Sequence, residues 1–297
     1  MLARLPIHDY ARTRGTYSRR MAPLDTGRLG AYVARVGYDG SLAPTVETLR
    51  ALHRAHLTAI PYENLDIHLG RTLTLDRQAA FAKLVDDQRG GWCFEMNGTF
   101  GWVLESIGFD VRYVAGAVRR ADRGARALDS HLVLIVTVDR PYMVDVGFGD
   151  GFFEPLPLEP GRYRQHSLTF GVSRDGEWWR VHNHEHGGAE SYDFTLEPRS
   201  LESFADKCHE LQTAADSSFV RATVCGRYER HGLVVLRGAV LREVKDGDLT
   251  VRVIADADDY GRVLVERFDL RPAGIGTLWP TVKARHIAWM ATQGGCA

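Results

Sequence analysis

The spacing of apolar residues changes character twice along the chain. Up to about residue 108 it follows a helical period. Leu29, Tyr32, Val33 and Val36 form one stripe, Leu42, Val46 and Leu49 begin a second, and Phe81, Leu84 and Val85 make a third. Phe100, Val103, Leu104 and Ile107 form a fourth that stops at Gly108. These stripes predict a helical region from about Asp25, ending in a helix with Cys93 in its first turn. From Val111 to about Leu196 the pattern shortens. Branched and aromatic runs at 132–136 and 142–146 alternate with Asp-Gly, Glu-Pro and Gly-Arg turns, and Trp178-Trp179 follows the turn signal Asp175-Gly176. Such punctuation predicts an antiparallel barrel or a twisted sheet. After Ser200 the texture is mixed, with strand-like runs at 232–236 and 249–253 and a helical stretch around 281–290.

Composition narrows the class. The 297 residues carry a formal net charge of −1, with 44% hydrophobic and 25% charged. A chain of this size buries a large core and divides it among two or three domains. Near-neutral charge argues against nucleic acid as a partner, and no apolar run approaches the ~18 residues of a membrane span. Cys93, Cys208, Cys225 and Cys296 lack CxxC spacing. That disfavours a zinc site or a disulfide framework and fits a reducing, cytoplasmic compartment. Residues 1–20 carry Arg4, Arg12, Arg14, Arg19 and Arg20 against Asp9 alone, without a hydrophobic signal core. They read as a disordered or loosely docked extension, or as an upstream start before Met21.

Candidate chemistry begins at Cys93, which follows Gly90-Gly91-Trp92 at the predicted helix start. Free backbone N–H groups and the positive end of the helix dipole favour a thiolate there, and the two glycines allow tight approach and room for a substrate. A lone cysteine is as readily a structural core residue. His131 stands at the mouth of a buried apolar run, and Asp145 interrupts the run at 142–146 just before Gly147. A carboxylate in such a run needs a partner, because an unpaired buried charge is costly. The runs bracket the turn Asp139-Arg140-Pro141, so an antiparallel hairpin brings His131 and Asp145 to the same end. With Cys93 they supply a nucleophile, a base and an orienting acid.

At these residues the chain resembles the arylamine N-acetyltransferases. The resemblance is carried by Arg89-Gly90-Gly91-x-Cys93-Phe94-Glu95-x-Asn97, by Ser130-His131-Leu132-x-Leu134, and by Val144-Asp145-Val146-Gly147-Phe148-Gly149. Ile60-Pro61-Tyr62-Glu63-Asn64-Leu65-Asp66 upstream and the run at 211–220 downstream extend it in the same order. The resemblance implies an α+β fold with a cysteine-protease-like Cys-His-Asp core: a helical bundle at 25–110, a central antiparallel β-barrel at 111–200 and an α/β lid at 201–297, after an extension at 1–24. It implies Cys93, His131 and Asp145 as the triad and acetyl-CoA as co-substrate rather than a permanently bound cofactor. The acetyl group would pass through a cysteine thioester to an arylamine, arylhydroxylamine or hydrazine. It also implies that Phe148 lines the acceptor pocket, and that Gly147, Gly149, Gly151 and Thr213 lie near CoA. The loop is no Walker A motif, since the Gly-Lys-Ser/Thr ending is absent.

Other features stay open. His182, His184 and His186 alternate along an extended segment, in reach of a metal or of a solvated turn. Arg119, Arg120, Arg123 and Arg126 form a basic stretch, either a solvated loop or a landing point for CoA phosphates. An amide synthase of the same superfamily, closing a macrolactam from a carrier-protein thioester, would share triad and fold. An inactive binding module with this fold is the reading from another class.

Overall fold

The protein is described by a computed structural model over residues 22–230 and 232–294. The expected extension at 1–24 lies almost wholly outside the described residues. Two amphipathic helices come first, α1 (Thr26–Val36) and α2 (Val46–Ala59). Asp25 and Thr45 cap them, each accepting a backbone N–H from the first turn, and Gly37 ends α1 in the left-handed region. Leu42, read as part of the second stripe, precedes the Thr45 cap and is exposed. The chain then forms β1 (Tyr62–Glu63), α3 (Leu65–His68) and α4 (Arg77–Phe81), which widens into a π turn at Ala82–Asp86. The fourth stripe is α5 (Cys93–Ile107), closed by Gly108 at φ 107°.

β2 (Asp110–Val118) opens the sheet region, followed by α6 (Arg120–Arg123), β3 (His131–Thr137), β4 (Pro141–Val144) and β5 (Leu156–Pro157). Then come β6 (Gly161–Gln165), β7 (Leu168–Asp175), β8 (Trp178–His182) and β9 (Ser191–Pro198). Their order is β5-β4-β3-β2-β9-β8-β7-β6, antiparallel throughout. The sheet is nearly a closed barrel. Across its seam the Gln165 side chain accepts from the N–H groups of Phe153 and Glu154 and donates to the Glu154 carbonyl. The Asp175-Gly176 turn and the Trp178 strand stand as the sequence predicts.

The C-terminal part contains α7 (Ala205–Thr213), α8 (Ser218–Arg221), β10 (Val224–Glu229), β11 (Gly232–Arg237), β12 (Val240–Lys245), β13 (Asp248–Val253), α9 (Ala257–Phe268) and α10 (Trp279–Gly294). Its sheet order is β1-β10-β11-β12-β13. One strand therefore comes from the segment read as purely helical. Tyr62 pairs with Gly226 and Glu63 with Cys225, so residues 60–66 join the first and last parts of the chain. One large core runs from the N-terminal helices through the barrel and reaches Tyr228, Leu233 and Val244. A smaller core fills the space between the five-stranded sheet and α9 and α10. No helix among the described residues is long and apolar enough to cross a membrane.

Candidate active site

Cys93 is the first residue of α5 and 2% exposed. The helix starts here because Glu95 turns back to accept the Trp92 N–H at 3.1 Å, half of a capping box. Gly90 and Gly91 serve packing rather than substrate room. A Cβ on Gly90 would stand 2.1 Å from the Pro61 carbonyl, and the Gly91 backbone bonds to Pro61 and Glu63. Gly147 does the same on the other side of the cysteine, where a Cβ would meet Cys93 Cα and carbonyl at 2.8 Å.

The β3–β4 hairpin brings the other two groups together. Leu134 faces Val144, so the next residue, Asp145, lies beside Val133, two positions from His131 on the same strand face. His131 Nε2 is 2.7 Å from Asp145 Oδ2, and both side chains are buried. A carboxylate only accepts, so Nε2 carries the proton and Nδ1 is left as the basic nitrogen. Asp145 Oδ1 accepts from Asn97 Nδ2 at 2.8 Å and from the Gly147 N–H at 3.0 Å. Burial alone would raise this carboxyl. The charge and hydrogen bond of His131, then Asn97 and Gly147, outweigh burial and hold it below its usual range.

Behind Asp145 sits His53, wholly buried on α2. Its Nδ1–H donates to the Phe153 carbonyl at 3.0 Å, and its Nε2 accepts the Asp145 backbone N–H at 3.3 Å. Burial holds this imidazole at about 4, so it is neutral and its tautomer is set. No motif marks His53 in the sequence, although a polar residue beside Leu49 and Leu52 in a buried stripe is itself a signal. Asn97 ends the motif around Cys93, and its place four residues on puts it on the same helix face.

One electrostatic expectation is reversed. The helix start was read as lowering the Cys93 thiol, but burial and the nearby Asp145 charge push it well above its usual value. The Phe94 and Leu132 backbones pull it down by less. The dipole works at a surface and loses here to desolvation. The same interaction puts the thiol against the backbone of Leu132, the neighbour of His131.

Phe148 is half-buried, its ring 5.3 Å from that of His131 and 5.0 Å from that of Tyr192, which in turn is 5.2 Å from His131. Tyr192 reaches the site from β9 through long-range pairing, which no local pattern reveals. Gly149, at φ 88°, turns the loop toward the five-stranded sheet, where its carbonyl lies 2.7 Å from where a Cβ of Gly226 would be. The Gly151 carbonyl accepts the Tyr228 hydroxyl. Between them Asp150 points away, accepting from Asn183 Nδ2 at 3.2 Å and the Gly188 N–H at 2.5 Å. Arg242 and Arg237 act on that buried carboxyl, so positive charge reaches the loop from β11 and β12.

The other sequence candidates separate from this site. Arg119 pairs with Asp122 at 2.9 Å and Arg120 with Asp193 at 2.6 Å, while Arg126 lies 3.9 Å from Asp216. Thr213 is exposed and its hydroxyl donates to the His209 carbonyl at 2.7 Å. His182, His184 and His186 do not converge: His182 bonds to Ser173, and His184 to the Asp150 carbonyl and the His186 N–H. No metal-holding cluster occurs among the described residues.

Beneath α5 lies a buried ion network. Lys83 bridges Asp66 at 2.8 Å and Glu95 at 3.0 Å, and Arg89 bridges Asp66 at 3.0 Å and Glu63. Burial lifts the Glu95 carboxyl, while the surrounding carboxylates outweigh burial for Lys83 and keep it charged.

Comparison with known proteins meets this geometry from outside. A family model for N-acetyltransferases matches residues 45–273. The pineal-gland arylamine N-acetyltransferase NAT-3 of Gallus gallus is 34% identical over 269 residues, covering 80% of this chain and 92% of that protein. The Mycolicibacterium smegmatis enzyme is 42% identical over 192 residues, covering 58% of this chain and 66% of that protein. The solved Salmonella typhimurium arylamine N-acetyltransferase superposes with a TM-score of 0.77 at 30% identity, covering 89% of this chain and 99% of that one. The Mycobacterium marinum enzyme in complex with CoA gives 0.76 at 31% identity, covering 86% and 97%. The chain belongs to the arylamine N-acetyltransferases, a family of acyltransferases.

Proposed function

We propose that this protein takes an acetyl group from acetyl-CoA onto Cys93 and passes it from that thioester to an arylamine, arylhydroxylamine or hydrazine. The observation that carries this reading is the His131–Asp145 pair at 2.7 Å beside a buried cysteine at a helix start, in a chain of this family.

A free thiolate would add a second negative charge next to Asp145. Moving the thiol proton to His131 Nδ1 instead keeps the total charge of the three groups at −1, so His131, not the helix dipole, activates the sulfur. Sulfur then attacks the acetyl thioester, and the developing oxyanion meets the Cys93 backbone N–H. CoA leaves as its sulfur takes the proton from His131. The amine attacks the acetyl-cysteine, and His131 removes its proton, which gives ping-pong kinetics. An aromatic amine suits this because its nitrogen is neutral at pH 7, whereas an alkyl amine is mostly protonated. Phe148 is the ring against which the acceptor stacks. The CoA pyrophosphate belongs near the Gly147, Gly149 and Gly151 loop, whose Asp150 carboxyl feels the charge of Arg237 and Arg242. Thr213 would have to release His209 to meet a phosphate.

Incubation with acetyl-CoA and no amine, followed by intact-protein mass spectrometry and peptide mapping, tests the reading. One acetyl group should appear on Cys93 and leave when an arylamine is added. Steady acetyl transfer by a Cys93→Ala variant would overturn it.

A further inference from the structure

We propose that Asn97 is the positioning residue of this site, one side chain that holds the cysteine helix in register with both the histidine and the aspartate. The proposal rests on the acyl-transfer reading above and deepens it. Asn97 lies one turn along α5 from Cys93, on the same face, and is 0% exposed. Its Nδ2 donates to the Leu132 carbonyl at 2.6 Å and to Asp145 Oδ1 at 2.8 Å, and its Oδ1 accepts the Val146 N–H at 2.9 Å. Leu132 follows His131 and Val146 follows Asp145. The three bonds therefore tie the helix that carries the nucleophile to the Asp145 side chain and to the backbone of the residue that follows each partner.

The orientation of the carboxamide is determined by these neighbours. A backbone N–H must meet its oxygen, and a carbonyl and a carboxylate must meet its nitrogen. Packing adds to this, since the Gly147 Cα faces Asn97 Nδ2 so closely that a Cβ would stand 2.8 Å away. With Asp145 Oδ1 taken by Asn97 and Gly147, Oδ2 is the atom left for His131. Asn97 thus sets which carboxylate oxygen meets the imidazole, and so the ring's tilt toward the sulfur. Aspartate at 97 keeps the size and the acceptor for Val146 but sets oxygen against oxygen at Asp145. Glutamine adds a methylene where no space is left.

The test compares wild type, Asn97→Ala and Asn97→Asp by two readouts: iodoacetamide alkylation of Cys93 across pH, and the single-turnover acetylation half-reaction. Both variants should lose on the order of 10²-fold in acetylation rate with little change in KM for acetyl-CoA, the cost of a misplaced reacting group. Removing a donor from the ionised carboxyl makes Asp145 hold a proton more tightly, so the acid limb of alkylation should move to higher pH in Asn97→Ala. Restricting Asn97 to a packing role would change thermal stability and leave the acid limb in place, and that result overturns the proposal. Wild-type Cys93 alkylating no faster than glutathione would instead sink the acyl-transfer reading itself. Should both variants fail to fold, the wild-type protein still decides. The Asn97 Nδ2 resonances in a 15N spectrum should titrate with the alkylation midpoint, and a flat response across it would overturn the proposal.

Discussion

At the scale of single residues, the site is built from close approaches that leave no spare volume. Gly147 shows this best, because a methyl group there would meet backbone atoms of Cys93 that α5 holds in place and the Asn97 amide that three hydrogen bonds hold. Gly147→Ala should therefore push the loop carrying Asp145 and Phe148 away from the cysteine. Overpacking of this kind costs about 1–3 kcal/mol of stability, whereas a misplaced reacting group costs on the order of 10²-fold in rate. We expect the variant to stay folded by circular dichroism and to lose acetyl transfer far out of proportion to its loss of stability; wild-type turnover would show that the loop has slack. His131 is the second residue-scale case. If it activates the sulfur by taking the proton, His131→Gln should slow Cys93 alkylation at neutral pH on the order of 10²-fold or more. An unchanged rate would return the activation to the helix start.

At the scale of elements, α5 is fixed from below by charge. Lys83 serves two buried carboxylates, and Glu95 also caps the turn that begins with Cys93. Lys83→Met leaves those carboxylates short of a partner, which costs about 3–5 kcal/mol when one member of a buried pair is removed. Urea unfolding should show that loss, while Arg119→Met, at an exposed pair, should change stability by less than about 1 kcal/mol. Comparable losses for the two would mean the network is not acting as buried. Helical stripes and the β3–β4 hairpin were legible in the sequence because each rests on local period and on a turn signal. The two-residue strand β1 was not, since Tyr62 and Glu63 pair with β10, more than 160 residues away, and Tyr62 bridges Gly91. Cys93, His131 and Asp145 stood out as polar or reactive groups at the ends of apolar runs. Tyr192 did not, because its place beside His131 exists only after β9 pairs with β2. The direction of the Cys93 shift is not legible in sequence for a related reason: a helix start is visible there, but the burial that opposes it is a property of the assembled core.

At the scale of the whole molecule, the core holds several histidines in the neutral form, and this makes folding sensitive to acid. Burial, more than any other cause, lowers His53 and His184 from 6.5 to about 4 and moves His56 in the same direction. Above pH 6.5 each ring is neutral whether the chain is folded or not, and its stabilising contribution is fully present. As pH falls toward 4 the unfolded chain binds a proton that the folded chain refuses, so stability is lost through that window, by about 3 kcal/mol for each of His53 and His184. The buried carboxyls of Glu95 and Asp150 are raised and act oppositely, since the folded protein takes up their protons first. A comparison of two proteins cancels the carboxyl contributions. His184 is the ring to change, because it sits 4% exposed against Asp150 and the turn at His186, and its bonds are to backbone. His184→Gln replaces the titrating ring by a group that does not titrate, so its stability in urea should fall less steeply between pH 6.5 and pH 4 than that of the wild type. The two curves should converge by up to about 3 kcal/mol at the acid end. Parallel curves would mean that His184 is protonated as readily in the folded protein as in the unfolded chain, and that its burial carries no acid sensitivity.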